Sequence, residues 1–199
     1  MLPGGERVKR RLSIGQYRAI DLAFFAALTV FFEFVLTRMG LAMPYAPFLV
    51  SVTPVICAIV MMRWGWPAAI HAVLGGAAYC LASGQGGEWF LIRCAGNLVC
   101  LEALLLLRVY PGAARVRDSA ALSMVYGAAV HLLMQLGRSV ITLALHDWQT
   151  LVVKMAGMEA VTLLFTVVLM WIVRRLDGLF EDQRHYLDRV RREEEEGGF

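Results

Sequence analysis

Residues Ile20–Thr37 read IDLAFFAALTVFFEFVLT, an apolar run broken by Asp21 at its entrance and Glu33 near its end. It approaches the length of about twenty residues that an α-helix needs to cross a bilayer. A carboxylate at membrane depth is expensive unless it faces a bundle interior or a cavity, so Glu33 is already a functional marker. The run therefore sets the class, a membrane-spanning helix bundle, and points to where its chemistry lies.

Five further runs follow, at Tyr45–Met62, Pro67–Leu81, Trp89–Leu107, Ala121–Ala144 and Thr150–Val173. The third is short and contains Gly75-Gly76, which predicts a tilted, bent or partial span. Pro54 within the second predicts a kink. Trp64, Trp66, Trp89, Trp148 and Trp171 fall near the ends of the runs, as an aromatic belt requires. The 199-residue chain is 59% hydrophobic and 18% charged, more apolar and less charged than a soluble domain. The expectation is an all-α integral membrane protein, a bundle of about six transmembrane helices.

Basic residues orient the bundle. Arg7, Lys9, Arg10, Arg11 and Arg18 precede the first run, Arg63 follows the second, Arg108, Arg115 and Arg117 follow the fourth, and Arg174 and Arg175 end the sixth. The connections on the other side are almost free of Lys and Arg, Arg38 being the main exception. The positive-inside rule then places both termini in the cytoplasm of a multi-pass protein of the cell membrane. Three parts follow: a basic leader (1–19), the transmembrane domain (20–175) and a charged cytoplasmic helix or tail (176–199) with an acidic run at Glu193–Glu196. The leader runs into a full-length span without a small-residue cleavage pattern, which argues against a cleavable signal peptide.

Rises of 1.5 Å per residue place the ionisable residues in layers. Arg93, Lys154 and Glu33 lie roughly 6 Å, and Arg138 roughly 9 Å, from the outer ends of their helices. Asn97, Gln135 and Glu159 form a deeper layer at roughly 12–14 Å. His131, Gln135 and Arg138 share one face of the fifth helix, and Arg93 and Asn97 share one face of the fourth. Lys154 and Glu159 stand about 140° apart and cannot both point into one cavity. Two readings stay open. Arg93, Asn97, Gln135, Arg138, Lys154 and Glu159 form a substrate pocket for a small polar solute, anionic or zwitterionic, since arginine offers paired hydrogen bonds to an acid group. Otherwise Glu33 and Glu159 neutralise the cations and the set only ties helices together.

Other signals are weaker. Ala19, Ala23 and Ala27 make a small-residue face on the first helix that permits close approach of another helix, from this chain or a partner. Asp21 beside Arg18 predicts an interfacial ion pair, a Glu102–His131 pair is open, and His71 reads as a hydrogen-bonded packing residue. Cys57, Cys80, Cys94 and Cys100 lack metal-site spacing and read as small buried hydrophobes. No HExxH, GxSxG or phosphate-binding loop is present, so neither enzyme chemistry nor a cofactor or metal is expected. The basic leader suits topology and anionic lipid better than nucleic acid.

Ser13–Leu28 (SIGQYRAIDLAFFAAL), Met61–Gly76 (MMRWGWPAAIHAVLGG) and Arg174–Leu187 (RRLDGLFEDQRHYL) resemble the S-components of energy-coupling factor transporters, in particular uncharacterised ones from Gram-positive bacteria. The resemblance spans nearly the whole chain. It implies a substrate-binding subunit for uptake of a vitamin-like micronutrient, without ATPase activity of its own. Its implied partners are a transmembrane coupling subunit, meeting Ala19, Ala23 and Ala27, and two cytoplasmic ATPases. It also implies a site in the outer half, built from helices four to six and capped by the loop Leu41–Pro47. The alternative is a membrane scaffold resembling bacterial rod-shape-determining proteins, which binds proteins and transports nothing.

Overall fold

Ser13 starts the first helix by a reciprocal cap. Its hydroxyl accepts from the Gln16 amide at 3.2 Å while the Gln16 side chain accepts from the Ser13 amide at 2.9 Å, which satisfies two of the orphan donors at a helix start. In the computed structural model, which describes residues 13–43, 49–109, 111–146, 148, 158–176, 179–180, 182–183, 186–187, 189 and 192, helix α1 runs over Ile14–Ala42. It is followed by α2 (Thr53–Trp64), α3 (Ala68–Ser83) and α4 (Glu88–Asn97). The path of α4 continues through a 3-10 turn (Leu98–Ala103) into α5 (Leu104–Arg108). Then come α6 (Ala113–Asp118), α7 (Ala120–Leu145) and α8 (Met158–Val173). The described residues contain no strand.

Three helical stretches, Ile14–Ala42, Glu88–Arg108 and Ala120–Leu145, are long and apolar enough to cross a membrane, and three shorter ones are apolar. The distribution of side chains fits that setting. Phe24, Phe31, Leu132, Leu136 and Leu164 are exposed, whereas Glu33, Arg93, Asn97, Arg138 and Glu159 are buried. A protein in water arranges these groups the other way round.

Helix α2 is the centre of the bundle, and each of its twelve residues is buried. It touches α1, α3, α7 and α8. α3 packs along α1 on one side and α4 on the other, and α7 lies between α4 and α8. The apolar core gathers around α2, with Val55, Ile59, Val60, Cys100, Val130, Met134 and Met170 among its members.

The second run departs from expectation. The helix anticipated over Tyr45–Met62 begins at Thr53, and residues 44–48 lie outside the described residues, as does most of the anticipated capping loop. Pro54 sits in the first turn of α2 and produces no kink. Proline lacks the N–H that a first turn leaves unused, so it suits that position. Gly75 and Gly76 lie inside the continuous helix α3. They serve close approach: a Cβ on Gly75 would stand 2.1 Å from the Thr53 hydroxyl, and one on Gly76 would stand 2.7 Å from the Arg93 carbonyl.

The inner end and tail also differ from expectation. Asp21 pairs with Arg63, not Arg18, through two bonds of 2.9 and 2.8 Å, and it accepts from the Trp64 indole at 2.6 Å. Arg18 instead lies over the Trp64 and Trp66 rings. Phe180 and Gln183 are buried against the bundle, and Arg63 Nη1 donates to the Leu179 carbonyl at 3.5 Å. Phe180, in the segment after α8, thus joins the apolar core. Glu193–Glu196 lie outside the described residues.

Candidate functional site

α1 turns two opposite faces outward and inward. Phe25, Thr29, Glu33 and Thr37 recur every fourth residue on the buried face. Ala19, Ala23 and Ala27 recur likewise on an exposed face, where no other helix of the chain covers them among the described residues. Packing among the described residues therefore does not account for the alanine stripe.

Glu33 reaches from α1 to the start of α2. One carboxylate oxygen accepts from the Ser51 hydroxyl at 2.8 Å, the Thr53 hydroxyl at 2.7 Å, the Val52 amide at 3.2 Å and the Thr53 amide at 3.3 Å. The first amides of a helix have no partner within it, and its N-terminus carries partial positive charge, so a carboxylate stabilises it twice over. The segment before α2 is held on its other side by α8. Thr162 donates to the Leu49 carbonyl at 2.8 Å and accepts from the Ser51 amide at 3.2 Å. Irregular backbone at membrane depth needs this kind of internal satisfaction. Glu33 was expected as a counter-ion to the arginines. Its described bonds are instead all to the start of α2, and no ion pair links it to an arginine among the described residues.

The other buried carboxylate makes the direct ion pairs. Glu159 on α8 binds Arg93 of α4 through one oxygen and Arg138 of α7 through the other. Arg138 Nε also donates to Asn97 Oδ1 at 2.6 Å, and Asn97 Nδ2 donates to the Ala72 carbonyl of α3 at 2.8 Å. The network thus joins α3, α4, α7 and α8. It forms because two glycines let α4 and α7 cross closely: a Cβ on Gly137 would stand 2.2 Å from the Gly96 carbonyl, and one on Gly96 would stand 2.7 Å from the Arg138 amide.

Arg93 has a second environment. Its guanidinium lies over the Tyr79 ring, 4.0 Å from the centroid, an attractive placement of a cation on a π face. Its Nε is buried and finds no acceptor among the described residues. Arg93 and Tyr79 are part of the wall of a cavity of about 170 Å³, with Leu41, Leu49 and Trp89 as further apolar lining. Ser83 and Gln85 add polar lining, and Gln85 Oε1 is likewise buried and without a partner among the described residues. Trp89 is held in place by stacking on His146 at 5.4 Å.

The six anticipated substrate-binding residues therefore separate. Arg93, Asn97, Arg138 and Glu159 meet in one network, of which Arg93 reaches the cavity. Gln135 is half-buried on α7, and Lys154 lies outside the described residues. His131 is buried within electrostatic reach of Glu159 and Arg138. Glu102 is exposed and forms no pair with it among the described residues. His71 is fully buried, with Nε2 3.1 Å from the Leu22 carbonyl, the packing role expected of it. All four cysteines are free and buried, again as expected.

Tyr79, Gln85 and Trp89 were not singled out as site residues by the sequence. The i, i+4 step from Trp89 to Arg93 on α4 was the available signal for one of them. No group of three or more His, Cys, Asp or Glu side chains suited to a metal ion occurs among the described residues.

Comparison of the chain with protein-family models, with curated proteins and with solved structures returns no match.

Proposed function

We propose that the chain is the membrane-embedded substrate-binding subunit of an uptake system for a small polar micronutrient. In this reading it forms a six-helix bundle in the cell membrane with both termini in the cytoplasm. The observation that carries the reading is Arg93. It is a buried guanidinium at a cavity wall, paired with a Glu159 that it shares with Arg138, while its Nε–H finds no acceptor among the described residues. Unpaired buried donors are rare in native proteins and call for a ligand or water.

The resemblance to energy-coupling factor S-components adds the partners. The exposed Ala19, Ala23 and Ala27 face would meet a transmembrane coupling subunit, and two cytoplasmic ATPases would supply the energy. Small residues suit helix contact in lipid, where close packing replaces the hydrophobic drive. The chain itself would perform no chemistry and hold no cofactor.

A scaffold without a solute is the second reading, and a specific observation favours it. Arg138 has both Asn97 and Glu159 as partners and does not line the cavity, so most of the network needs no ligand. Native mass spectrometry of the mildly solubilised protein from its own membranes separates the two. The uptake reading expects a retained small molecule and associated ATPase subunits; a chain that arrives with neither defeats it.

A further inference from the structure

We infer that a second cavity, at the end of the bundle where α2 stops, holds the phosphodiester of a membrane glycerophospholipid. The inference rests on the bundle lying in a bilayer and is independent of the uptake reading. The cavity measures about 300 Å³ and is walled by the end of α2 and the turn after it, by α5, Ala113 and Asp182. That volume equals roughly ten water molecules at about 30 Å³ each, room for a phosphate with its glycerol linkage.

The walls divide by polarity. Met61, Met62, Leu104 and Leu107 are apolar, and Arg63, Arg108 and Asp182 are ionisable. Trp64 and Trp66 stand on either side of Gly65, whose φ of 75° ends α2. Apolar surface, arginine and tryptophan side by side match the headgroup layer of a bilayer, where acyl chains give way to phosphates. Leu105 and Val109, which flank Arg108 in the chain, are exposed and offer acyl chains a path away from the cavity.

The unused donors decide what enters. Arg63 commits Nε and Nη2 to Asp21 and Nη1 to the Leu179 carbonyl, and the Trp64 indole donates to Asp21. Arg108 is exposed and makes no bond among the described residues, so its guanidinium is free to swing over the opening. Trp66 is exposed as well. Arg18 lies over its ring, and its N–H has no acceptor among the described residues. A guanidinium and an indole N–H donate and do not accept, so their ligand must bring acceptor oxygens. The acceptor that every neighbouring phospholipid carries is its phosphate, which suits the forked donors of arginine. Asp182 limits the charge. A phosphodiester brings one negative charge to this wall, whereas a phosphomonoester would set a second one against the carboxylate.

Native mass spectrometry of the full-length protein released from nanodiscs tests the assignment. One set of discs mixes phosphatidylglycerol with a diglucosyl diacylglycerol of the same acyl chains; a second set has phosphatidylethanolamine in place of phosphatidylglycerol. Either phospholipid should stay bound and the phosphate-free glycolipid should not. Arg108→Gln should lower the retained phospholipid by roughly tenfold or more, the value of one charge-assisted hydrogen bond, with melting unchanged. Arg117→Gln removes an exposed arginine outside the cavity wall and should leave retention as it is. Glycolipid retained as well as phospholipid overturns the assignment, since the phosphate is then not what is read. Retention of one phospholipid without the other overturns it by making the headgroup the determinant. Retention that Arg108→Gln leaves unchanged, or that Arg117→Gln lowers equally, does the same by assigning the lipid to the basic surface at large. A protein that leaves both discs without lipid defeats it outright.

Discussion

Replacing Glu33 by alanine tests the central structural feature, the capping of α2 by a carboxylate from another helix. The change removes one acceptor from four donors. The Ser51 and Thr53 hydroxyls can rotate toward other oxygens, but the Val52 and Thr53 amides are fixed by the backbone. The Thr53 amide keeps the Ser51 hydroxyl as an acceptor at 3.3 Å, so the Val52 amide alone is orphaned, at a cost of about 1–3 kcal/mol. Glutamine at the same position keeps an acceptor oxygen and loses only the charge. That difference corresponds to the helix-end contribution of about 0.3–2 kcal/mol. Alanine loses both contributions and should lower the melting temperature by roughly 3–20 °C, and glutamine by roughly 1–8 °C, taking about 2–4 °C per kcal/mol. All four cysteines are buried, so a thiol-reactive fluorogenic dye reads unfolding directly in detergent. An alanine variant that melts within about 2 °C of the parent, or no lower than the glutamine variant, refutes the capping argument.

The same assay serves two further expectations, and proteolysis and co-purification serve two more. Glu159→Gln leaves Arg93 and Arg138 buried around a neutral amide and should cost about 3–5 kcal/mol; a loss under 1 kcal/mol would mean the guanidiniums have other counter-ions. Gly137→Ala forces the α4–α7 crossing apart, because its Cβ would meet the Gly96 carbonyl at 2.2 Å. It should lower stability far more than Gly86→Ala, whose Cβ meets nothing within 4 Å, and equal effects would contradict the crossing. Arg63→Gln breaks the paired bonds to Asp21 and the bond to Leu179, and it should make the segment after Leu176 more sensitive to protease. Ala23→Leu lies on an exposed face and should leave melting unchanged while abolishing co-purification of a coupling subunit; a complex that survives the change removes that interface from consideration.

Hydropathy located two of the three long helices to within one residue at each end, and fell six and five residues short at the ends of α1 (Ile14–Ala42). Glu88–Arg108 matches the anticipated Trp89–Leu107, and Ala120–Leu145 matches Ala121–Ala144. It missed the start of α2, because an apolar average cannot register a helix end satisfied by a residue eighteen positions upstream. The local signal was nonetheless present: Ser51-Val52-Thr53-Pro54 carries hydroxyl residues ahead of a proline, a common helix opening. The arginines show the same division. Helical spacing put Arg93 with Asn97 on one face, yet Asn97 bonds Arg138, and Arg93 turns to Glu159 and Tyr79. Faces follow from spacing along one helix. Partners follow from how helices cross, and that crossing was encoded in Gly96 and Gly137, residues that carry no chemistry of their own.

The bond between Glu33 and the start of α2 also bears on how the chain enters its membrane. α1 leaves the translocon first, carrying a carboxylate that lipid disfavours. α2 follows with twelve helical residues, about 18 Å of rise, too short to span alone, and with amides exposed at its start. α1 is long and apolar enough to insert, whereas α2 is a poor candidate for independent insertion, and each supplies what the other lacks. Efficient biogenesis then requires the two to meet before either is released into lipid, so that α1 acts as a template for α2. A chain synthesised without Glu33 would show its defect during insertion, as material lost to membrane quality control, before any assay of the finished protein could register it.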